Sequence, residues 1–140
     1  MASLSWKETY ALGVDHIDDQ HRHLFDLLGQ LQDAVNKPDA QRVVGTVIKE
    51  LVHHTQIHFR DEEKLMAEVG YHDITRHKEL HKIFVERIIL ILRRLKAGQD
   101  VTPQDLAEFL ERWMIEHLLG EDVKIAFAVK AKLESVGPDR

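Results

Sequence analysis

The chain has 140 residues, a formal net charge of −5 at pH 7 and no cysteine. This length predicts one domain with a buried core, because 44% of the residues are hydrophobic. The missing cysteines exclude disulfides, thiolate metal ligands and cysteine nucleophiles, and the acidic balance argues against a nucleic-acid partner.

Breaker residues divide the chain into four helical patterns; they are Pro38, Gly70 and the stretch 98–103. Before the helices lies an irregular arm over residues 1–17, which we expect to pack Trp6 and Tyr10 against them. The helices themselves are predicted at about 18–37, 39–69, 72–97 and 103–133. Because short connections join long helices, we predict an all-α fold, an up-down-up-down antiparallel four-helix bundle in a single domain over 1–140.

The first helix carries a histidine on its apolar stripe. His21 takes the place between Ile17 and Leu24 where a core leucine is expected. His23 lies about 200° around the helix from His21 and should point away from the core. We therefore predict that the stretch DDQHRHLF contains one inward histidine and one surface histidine.

The other three helices repeat this anomaly. The second helix carries His58 and Glu62 on its stripe, the third carries His77 and His81, and the fourth reaches His117. Burying an imidazole or a carboxylate is costly unless the group is paired or bound to a metal. Five histidines and a glutamate on four stripes therefore point to a shared polar site.

The positions along the chain place these polar residues at one level of the bundle. Glu62 precedes Gly70 by 8 residues, and His77 follows it by 7. His81 and His117 are similarly balanced about the third connection. At about 1.5 Å of rise per residue, such mismatches amount to only a few ångströms. We expect the polar residues to meet in one layer near one end of the bundle.

The stripe of the fourth helix slips by one residue after His117. An unbroken continuation would put Gly120 or Glu121 into the core, whereas the slipped stripe brings Asp122 inward and continues with Ala126, Val129 and Leu133. A one-residue insertion such as a π-bulge near Gly120 would explain the slip, and such bulges are frequent at functional sites. The alternative is a helix that ends near Leu119 and restarts.

Imidazole and carboxylate donors of this kind suit iron, zinc, copper or manganese. Seven ligands exceed the needs of one tetrahedral zinc and suit two metals. If the carboxylates and one solvent oxygen bridge a six-coordinate pair, one position stays open for a small diatomic ligand. The many neutral histidines favour reversible binding over high-valent oxygen activation. The candidate ligands are His21, His58, Glu62, His77, His81, His117 and Asp122.

The motifs at these positions resemble the hemerythrin family in its bacterial single-domain form. The resemblance covers roughly residues 5–130 and implies a non-haem di-iron site with an oxo or hydroxo bridge. It implies that His77, His81 and His117 hold one iron. It further implies that His21 and His58 hold the other, which binds O2, and that Glu62 and Asp122 bridge the two. The motifs are DDQH at 18–21, HFRDE at 58–62, HKELH at 77–81 and HLLGED at 117–122.

The resemblance also implies an apolar wall around the O2 position. Such a wall limits water and slows oxidation of the iron. Met114 stands where we expect a leucine, and its flexible thioether affects access to the open position. The wall residues are Leu24, Phe59, Trp113, Met114 and Leu118.

The function expected from this resemblance is O2 carriage, storage or delivery, with dioxygen as the partner and no enzymatic activity. The alternatives are an O2 or redox sensor module and a di-iron enzyme acting on peroxide or nitric oxide. The longest apolar run, IILIL at 88–92, is too short for membrane insertion. The N-terminal segment lacks a signal-peptide pattern, and we take the cytoplasm as the simplest location.

The remaining polar residues are expected to lie outside the ligand layer. We predict that the RDEEK run at 60–64, apart from Glu62, is mostly a solvated face. Five histidines off the stripes should lie at the surface or beside the ligands; they are His16, His23, His53, His54 and His72.

Overall fold

The computed structural model describes residues 4–135, and every regular element within that range is helical. The first helix packs against the second and fourth, and the second also packs against the third and fourth, as in a four-helix bundle. The fourth helix consists of an α-helical, a π-helical and a second α-helical stretch in direct succession. The elements are a 3-10 turn at Glu8–Tyr10, α1 at Asp15–Ala34, α2 at Ala40–Glu68, α3 at Ile74–Lys96, α4 at Pro103–Trp113, the π segment at Met114–Asp122 and α5 at Val123–Ser135.

The N-terminal arm is shorter than predicted, and α1 begins at Asp15 rather than at residue 18. The buried carboxylate of Asp18 explains the difference. It accepts hydrogen bonds from the backbone N–H groups of Leu12 (2.7 Å) and Gly13 (3.2 Å), which turns the arm into the helix. Residues 1–3 of the predicted arm lie outside the described residues.

The arm packs against α1 through aromatic rings, as predicted. The rings of Trp6 and Tyr10 each lie 5.9 Å from the ring of Phe25. Tyr10 stacks on that ring, and Trp6 meets it edge-on.

Helix α1 also ends earlier than predicted, at Ala34 instead of residue 37. Asn36 has a φ of 66°, in the left-handed region, which interrupts the helix. Pro38 in turn disfavours helical backbone at Lys37. The ends of α2 and α3 lie within two residues of the predicted ones.

The start of the fourth helix matches its sequence pattern. The Thr102 side chain accepts a hydrogen bond from the backbone N–H of Asp105 at 3.0 Å, and Pro103 occupies the first helical turn. The preceding helix stops where Gly98 adopts a φ of 78°, a conformation that glycine takes at little cost.

Two apolar clusters fill the bundle, one on each side of a buried polar layer. The larger cluster includes Leu24, Phe59 and Leu118. The smaller includes Ile17, Leu65 and Ile125, together with Tyr71 and others. Each helix that contributes to both clusters crosses the polar layer between them. A polar side chain in that layer is thereby closed off from water at both ends.

The stripe predicted for the end of the fourth helix is wrong at two positions. The slipped stripe predicts that Leu133 faces inward, but 63% of it is exposed, and Ile125 is fully buried instead of Ala126. None of the described helices is both long and apolar enough to cross a membrane.

Candidate metal centre

All seven candidate ligands lie in the buried polar layer, each with at most 3% of its surface exposed. Their donor atoms form two groups, and within each group all donors lie within 4.8 Å of one another. Glu62 and Asp122 belong to both groups. We call His21 and His58 the two-histidine set, and His77, His81 and His117 the three-histidine set.

The two oxygens of Glu62 face different histidine sets. Oε2 lies 3.2 Å from Nε2 of His21 and 3.5 Å from Nε2 of His58. Oε1 lies 3.1 Å from Nε2 of His77 and 3.0 Å from Nε2 of His81. The carboxylate therefore spans the space between the two sets.

Asp122 divides its oxygens in the same way. Oδ2 lies 3.3 Å from Nε2 of His21. Oδ1 lies 2.8 Å from Nε2 of His77 and 3.0 Å from Nε2 of His117. Two carboxylates that each present one oxygen to either set have the arrangement of bridging ligands.

The residues fit a pair of cations on the chemistry of their unpartnered atoms. Nε2 of His58 is buried without a hydrogen-bond partner, and the two carboxylate oxygens of Asp122 face imidazole nitrogens at 2.8 to 3.3 Å without forming a hydrogen bond to them. Leaving such groups unpaired in the interior is costly. Cations between the imidazole nitrogens and the carboxylate oxygens would satisfy these atoms, and this donor set suits iron, zinc, copper or manganese.

The π segment explains how Asp122 reaches the layer. His117 and Asp122 are five residues apart, and in an α-helix they would lie about 140° apart around the axis. In a π-helix, backbone hydrogen bonds join residues five apart, so both side chains can face the same way. The predicted π-type insertion is confirmed, although it extends over Met114–Asp122 rather than one residue near Gly120.

Two of the candidate-ligand histidines have a side-chain partner at Nδ1 that the sequence analysis did not predict. His58 donates from Nδ1 to Oε1 of Gln20 at 2.7 Å, and His81 donates from Nδ1 to Oε2 of Glu63 at 2.9 Å. Asp61 accepts from the Gln20 amide at 2.8 Å. The prediction that the RDEEK run is a solvated face is therefore wrong for Asp61 and Glu63. A ligand histidine needs a partner for its second nitrogen, and that need was the available clue.

The five predicted wall residues pack around the layer, but their contacts differ. Leu24, Met114 and Leu118 are fully buried in the larger apolar cluster. Phe59 stacks on the ring of His81, with 3.9 Å between centroids. Trp113 is half-buried and stacks on His117 at 4.7 Å, so its ring contact with a ligand is with the three-histidine set.

The histidines off the stripes lie where they were predicted. His16, His53 and His72 are exposed, and His23 pairs with Glu50 at the surface. His54 is half-buried beside the candidate ligand His58, and the two rings are parallel with 5.9 Å between centroids.

Attraction between opposite charges raises the pKa values of two imidazoles. Burial lowers the pKa of His21, but Asp122 and Glu62 outweigh burial and raise it to about 10. The same balance raises the pKa of His77 to about 9. His58 behaves in the opposite way, because burial dominates and lowers its pKa to about 3. Without metal, His21 and His77 therefore carry a positive charge at neutral pH.

The carboxylates show the matching shifts. Burial raises the pKa of Glu62, but His21, His77 and His81 outweigh it and hold the pKa well below its usual range. The pKa of Asp122 is also lowered, because the histidines around it outweigh burial and the charge of Glu62. Both groups are thus anionic at neutral pH, the state in which carboxylates bind metal.

The metal-free protein should lose stability between pH 7 and pH 10. His21 and His77 have folded pKa values of about 10 and about 9, above the ordinary value of 6.5. Their contribution to stability is complete below pH 6.5 and is lost as the pH rises through those values. Urea unfolding with a chelator present should show a lower midpoint at pH 10 than at pH 7. A His21→Leu variant should show a smaller drop, and equal midpoints in the original chain would contradict the expectation.

Comparison with known proteins gives a consistent result. The chain matches the model of the hemerythrin HHE cation binding domain over residues 12–127. It is 40% identical to a bacteriohemerythrin of Stenotrophomonas maltophilia over 134 residues, covering 95% of this chain and 86% of that protein. It is 32% identical to a bacteriohemerythrin of Pseudomonas aeruginosa, covering 100% and 90%. A crystal structure of wild-type hemerythrin aligns with a TM-score of 0.80 at 26% identity, covering 91% of this chain and 98% of that one.

Proposed function

The chain belongs to the hemerythrin family, and from that premise we propose that it binds dioxygen reversibly at a non-haem di-iron centre. The observation that carries the proposal is the pair of donor groups that share two carboxylates, Glu62 and Asp122. Such a centre would serve O2 carriage, storage or delivery.

The donor atoms suggest how the ions would be held. His77, His81 and His117 would hold one iron, and His21 and His58 the other. Glu62 and Asp122 would bridge them, since each presents one oxygen to either set. A solvent-derived oxo or hydroxo group would complete the bridge. When bound, the iron pair supplies the reversible two-electron chemistry that O2 binding requires.

The two sets are unequal, and that inequality supports a proposal for the side on which O2 binds. The two-histidine set offers one protein donor fewer than the three-histidine set. An exogenous ligand is therefore expected on the side of His21 and His58. Both carboxylates near that side are assigned as bridges, so neither is left to serve as a general acid. This is why we propose a binding protein and not an enzyme.

The apolar residues of the larger cluster would keep water from the O2 side. Leu24, Met114 and Leu118 have no exposed surface and offer no hydrogen bond donors from their side chains. Phe59 is 4% exposed and covers the ligands from α2. A dry wall of this kind slows the escape of charged products and the entry of protons. We propose these residues and Trp113 as the lining of the O2 site.

Met114→Leu should change the rate at which the oxygenated protein autoxidises. Met114 is fully buried in the π segment, three residues before His117. Leucine has a similar volume but a stiffer side chain, so the substitution alters access more than packing. The rate is measured from the decay of the oxygenated absorption band in air. Equal rates in the two proteins would refute a role for Met114 in the wall.

The fold and location complete the proposal. We propose the up-down-up-down arrangement, supported by the short connections and by the contacts of α1 with α2 and of α2 with α3. We further propose one domain spanning 1–140. The cytoplasmic location, the lack of membrane insertion and the lack of a nucleic-acid partner stay predictions from composition, with the net charge of −5 supporting the last.

Metal analysis combined with absorption spectra tests the function. The protein is purified, reduced without air and then exposed to air. We expect two irons per chain and a visible charge-transfer band that appears in air and reverses under argon. One zinc per chain and no visible band would overturn the di-iron proposal. Rapid turnover of peroxide or nitric oxide, without a reversible band, would favour an enzyme instead. A band that reports oxidation state but decays too fast for carriage would favour the sensor.

A further inference from the structure

His58 is held in one orientation by an amide. Its Nδ1 lies 2.7 Å from Oε1 of Gln20, and an amide oxygen only accepts hydrogen bonds. Nδ1 must therefore carry the proton and donate it. The other nitrogen, Nε2, keeps its lone pair and points into the layer, where it has no hydrogen-bond partner. Gln20 thus selects the tautomer of His58 that can bind a metal.

Asp61 sets the orientation of that amide. Nε2 of Gln20 donates to Oδ2 of Asp61 at 2.8 Å. A carboxylate accepts but does not donate, so the amide nitrogen must face Asp61 and the amide oxygen must face His58. The backbone carbonyl of Gln20 also accepts from Nε2 of His54 at 3.0 Å, which ties this turn of α1 to α2. The result is a hydrogen-bonded chain from Asp61 through Gln20 to His58.

In each histidine set, one imidazole donates from Nδ1 to a side-chain acceptor, but the two acceptors differ in charge. His81, in the three-histidine set, donates from Nδ1 to the carboxylate of Glu63 at 2.9 Å. His58, in the two-histidine set, donates to a neutral amide. By contrast, Nδ1 of His21 and of His77 has no partner. A carboxylate behind an imidazole makes it a stronger donor to metal than an amide does.

We propose that Gln20, oriented by Asp61, is the positioning residue for His58 and keeps it a weaker electron donor than His81. The inference rests on the proposed function and deepens it, since it concerns the ion expected to take O2. A neutral anchor at His58 leaves that ion less electron-rich, so that its oxidised state is less stabilised than it would be behind a carboxylate. Because Gln20 is neutral and Glu63 is charged, the two ions would differ in how strongly their oxidised states are stabilised.

Cobalt binding tests the positioning role without O2 or iron. Calorimetric titration of the metal-free protein with Co²⁺ should show two binding steps per chain. Gln20→Leu removes the acceptor and should weaken one step about 10- to 100-fold while leaving the other unchanged. The matched control is Gln30→Leu, which makes the same substitution at an exposed position of α1. It should leave both steps unchanged.

A double variant tests the charge of the anchor. Gln20→Glu combined with Asp61→Asn moves the carboxylate from position 61 to position 20. The new glutamate accepts from Nδ1 of His58, and the amide of the new asparagine donates to that glutamate. The double variant should bind Co²⁺ with the original affinity in the step that Gln20→Leu weakens. In the iron-loaded protein it should lower the reduction potential of one iron, whereas Glu63→Gln should raise the potential of the other. Spectroelectrochemistry measures both shifts, which a purely structural role for Gln20 would not produce.

Several outcomes would overturn the inference. The positioning role is wrong if Gln20→Leu binds both Co²⁺ ions as tightly as Gln30→Leu does. If Gln20→Leu fails to fold, Asp61→Leu decides, because leucine cannot accept from the Gln20 amide and so removes the constraint on its orientation; an unchanged titration of that variant would contradict the role of Asp61. Unshifted potentials would refute the electronic part. Absence of two Co²⁺ steps in the original chain would instead contradict the two-ion centre of the proposed function.

Discussion

Glu62→Ala should reduce the metal content of the purified protein from about two ions per chain to less than about one. The reason is that one side chain serves both donor groups. Oε2 of Glu62 faces His21 at 3.2 Å, and Oε1 faces His77 and His81 at 3.1 and 3.0 Å. Alanine removes a ligand from both ions at once and leaves a cavity where the carboxylate was buried. No other side chain of α2 lies between the two histidine sets in the same way.

Metal analysis after dialysis measures this effect, with Glu68→Ala as the matched control. Glu68 lies on the same helix, and its side chain is exposed, so its loss should leave the metal content unchanged. Circular dichroism distinguishes loss of metal from loss of fold. A Glu62→Ala protein that is folded and retains two ions per chain would contradict the bridging assignment.

His21→Ala and His23→Ala should have opposite outcomes, although the two residues are separated by one position. His21 is fully buried, and its Nε2 faces both Glu62 and Asp122. Its loss leaves His58 as the last histidine of the two-histidine set. We expect one ion per chain to remain, held by the three-histidine set, and no reversible O2 band.

His23 lies on the other side of α1, where it pairs with the half-exposed Glu50 at 3.2 Å. Exposed ion pairs contribute little to stability, so His23→Ala should change the free energy of unfolding by less than about 1 kcal/mol. It should retain both ions and the O2 band. Iron content and absorption in air, measured on both variants side by side, check the pair of predictions. Loss of iron from His23→Ala, or two ions in His21→Ala, would show that the assignment of the two histidines is wrong.

The helices could be predicted from the sequence because hydrophobic period and breakers are local properties. The stripes on all four helices identified the five buried histidines, and all of them are in the layer. The helix ends were less predictable, since they depend on contacts across the chain. The carboxylate of Asp18, for example, starts α1 early by accepting from the backbone of the arm at Leu12.

The slip in the stripe of the fourth helix shows what the hydrophobic period of a sequence can predict and what it cannot. One unbroken stripe could not bury both His117 and Asp122, so the mismatch in the sequence pattern is enough to indicate an insertion. Its extent was not predictable, because the period of the side chains indicates a shift in phase but not how many backbone hydrogen bonds take part in it; the π segment spans Met114–Asp122. The exposed position of Leu133 has the same origin, since the phase of α5 is set by the segment before it.

By itself, the sequence determined which side chains enter the polar layer, because burial on a helix follows the period of its own residues. Only the tertiary structure decided which atoms meet there. The division of the Glu62 and Asp122 oxygens between two histidine sets depends on how four helices are rotated against each other. The hydrogen bonds from Gln20 of α1 to Asp61 and His58 of α2 depend on the same rotation. Contacts between helices depend on distances across the bundle, and the period of a single helix carries no information about them.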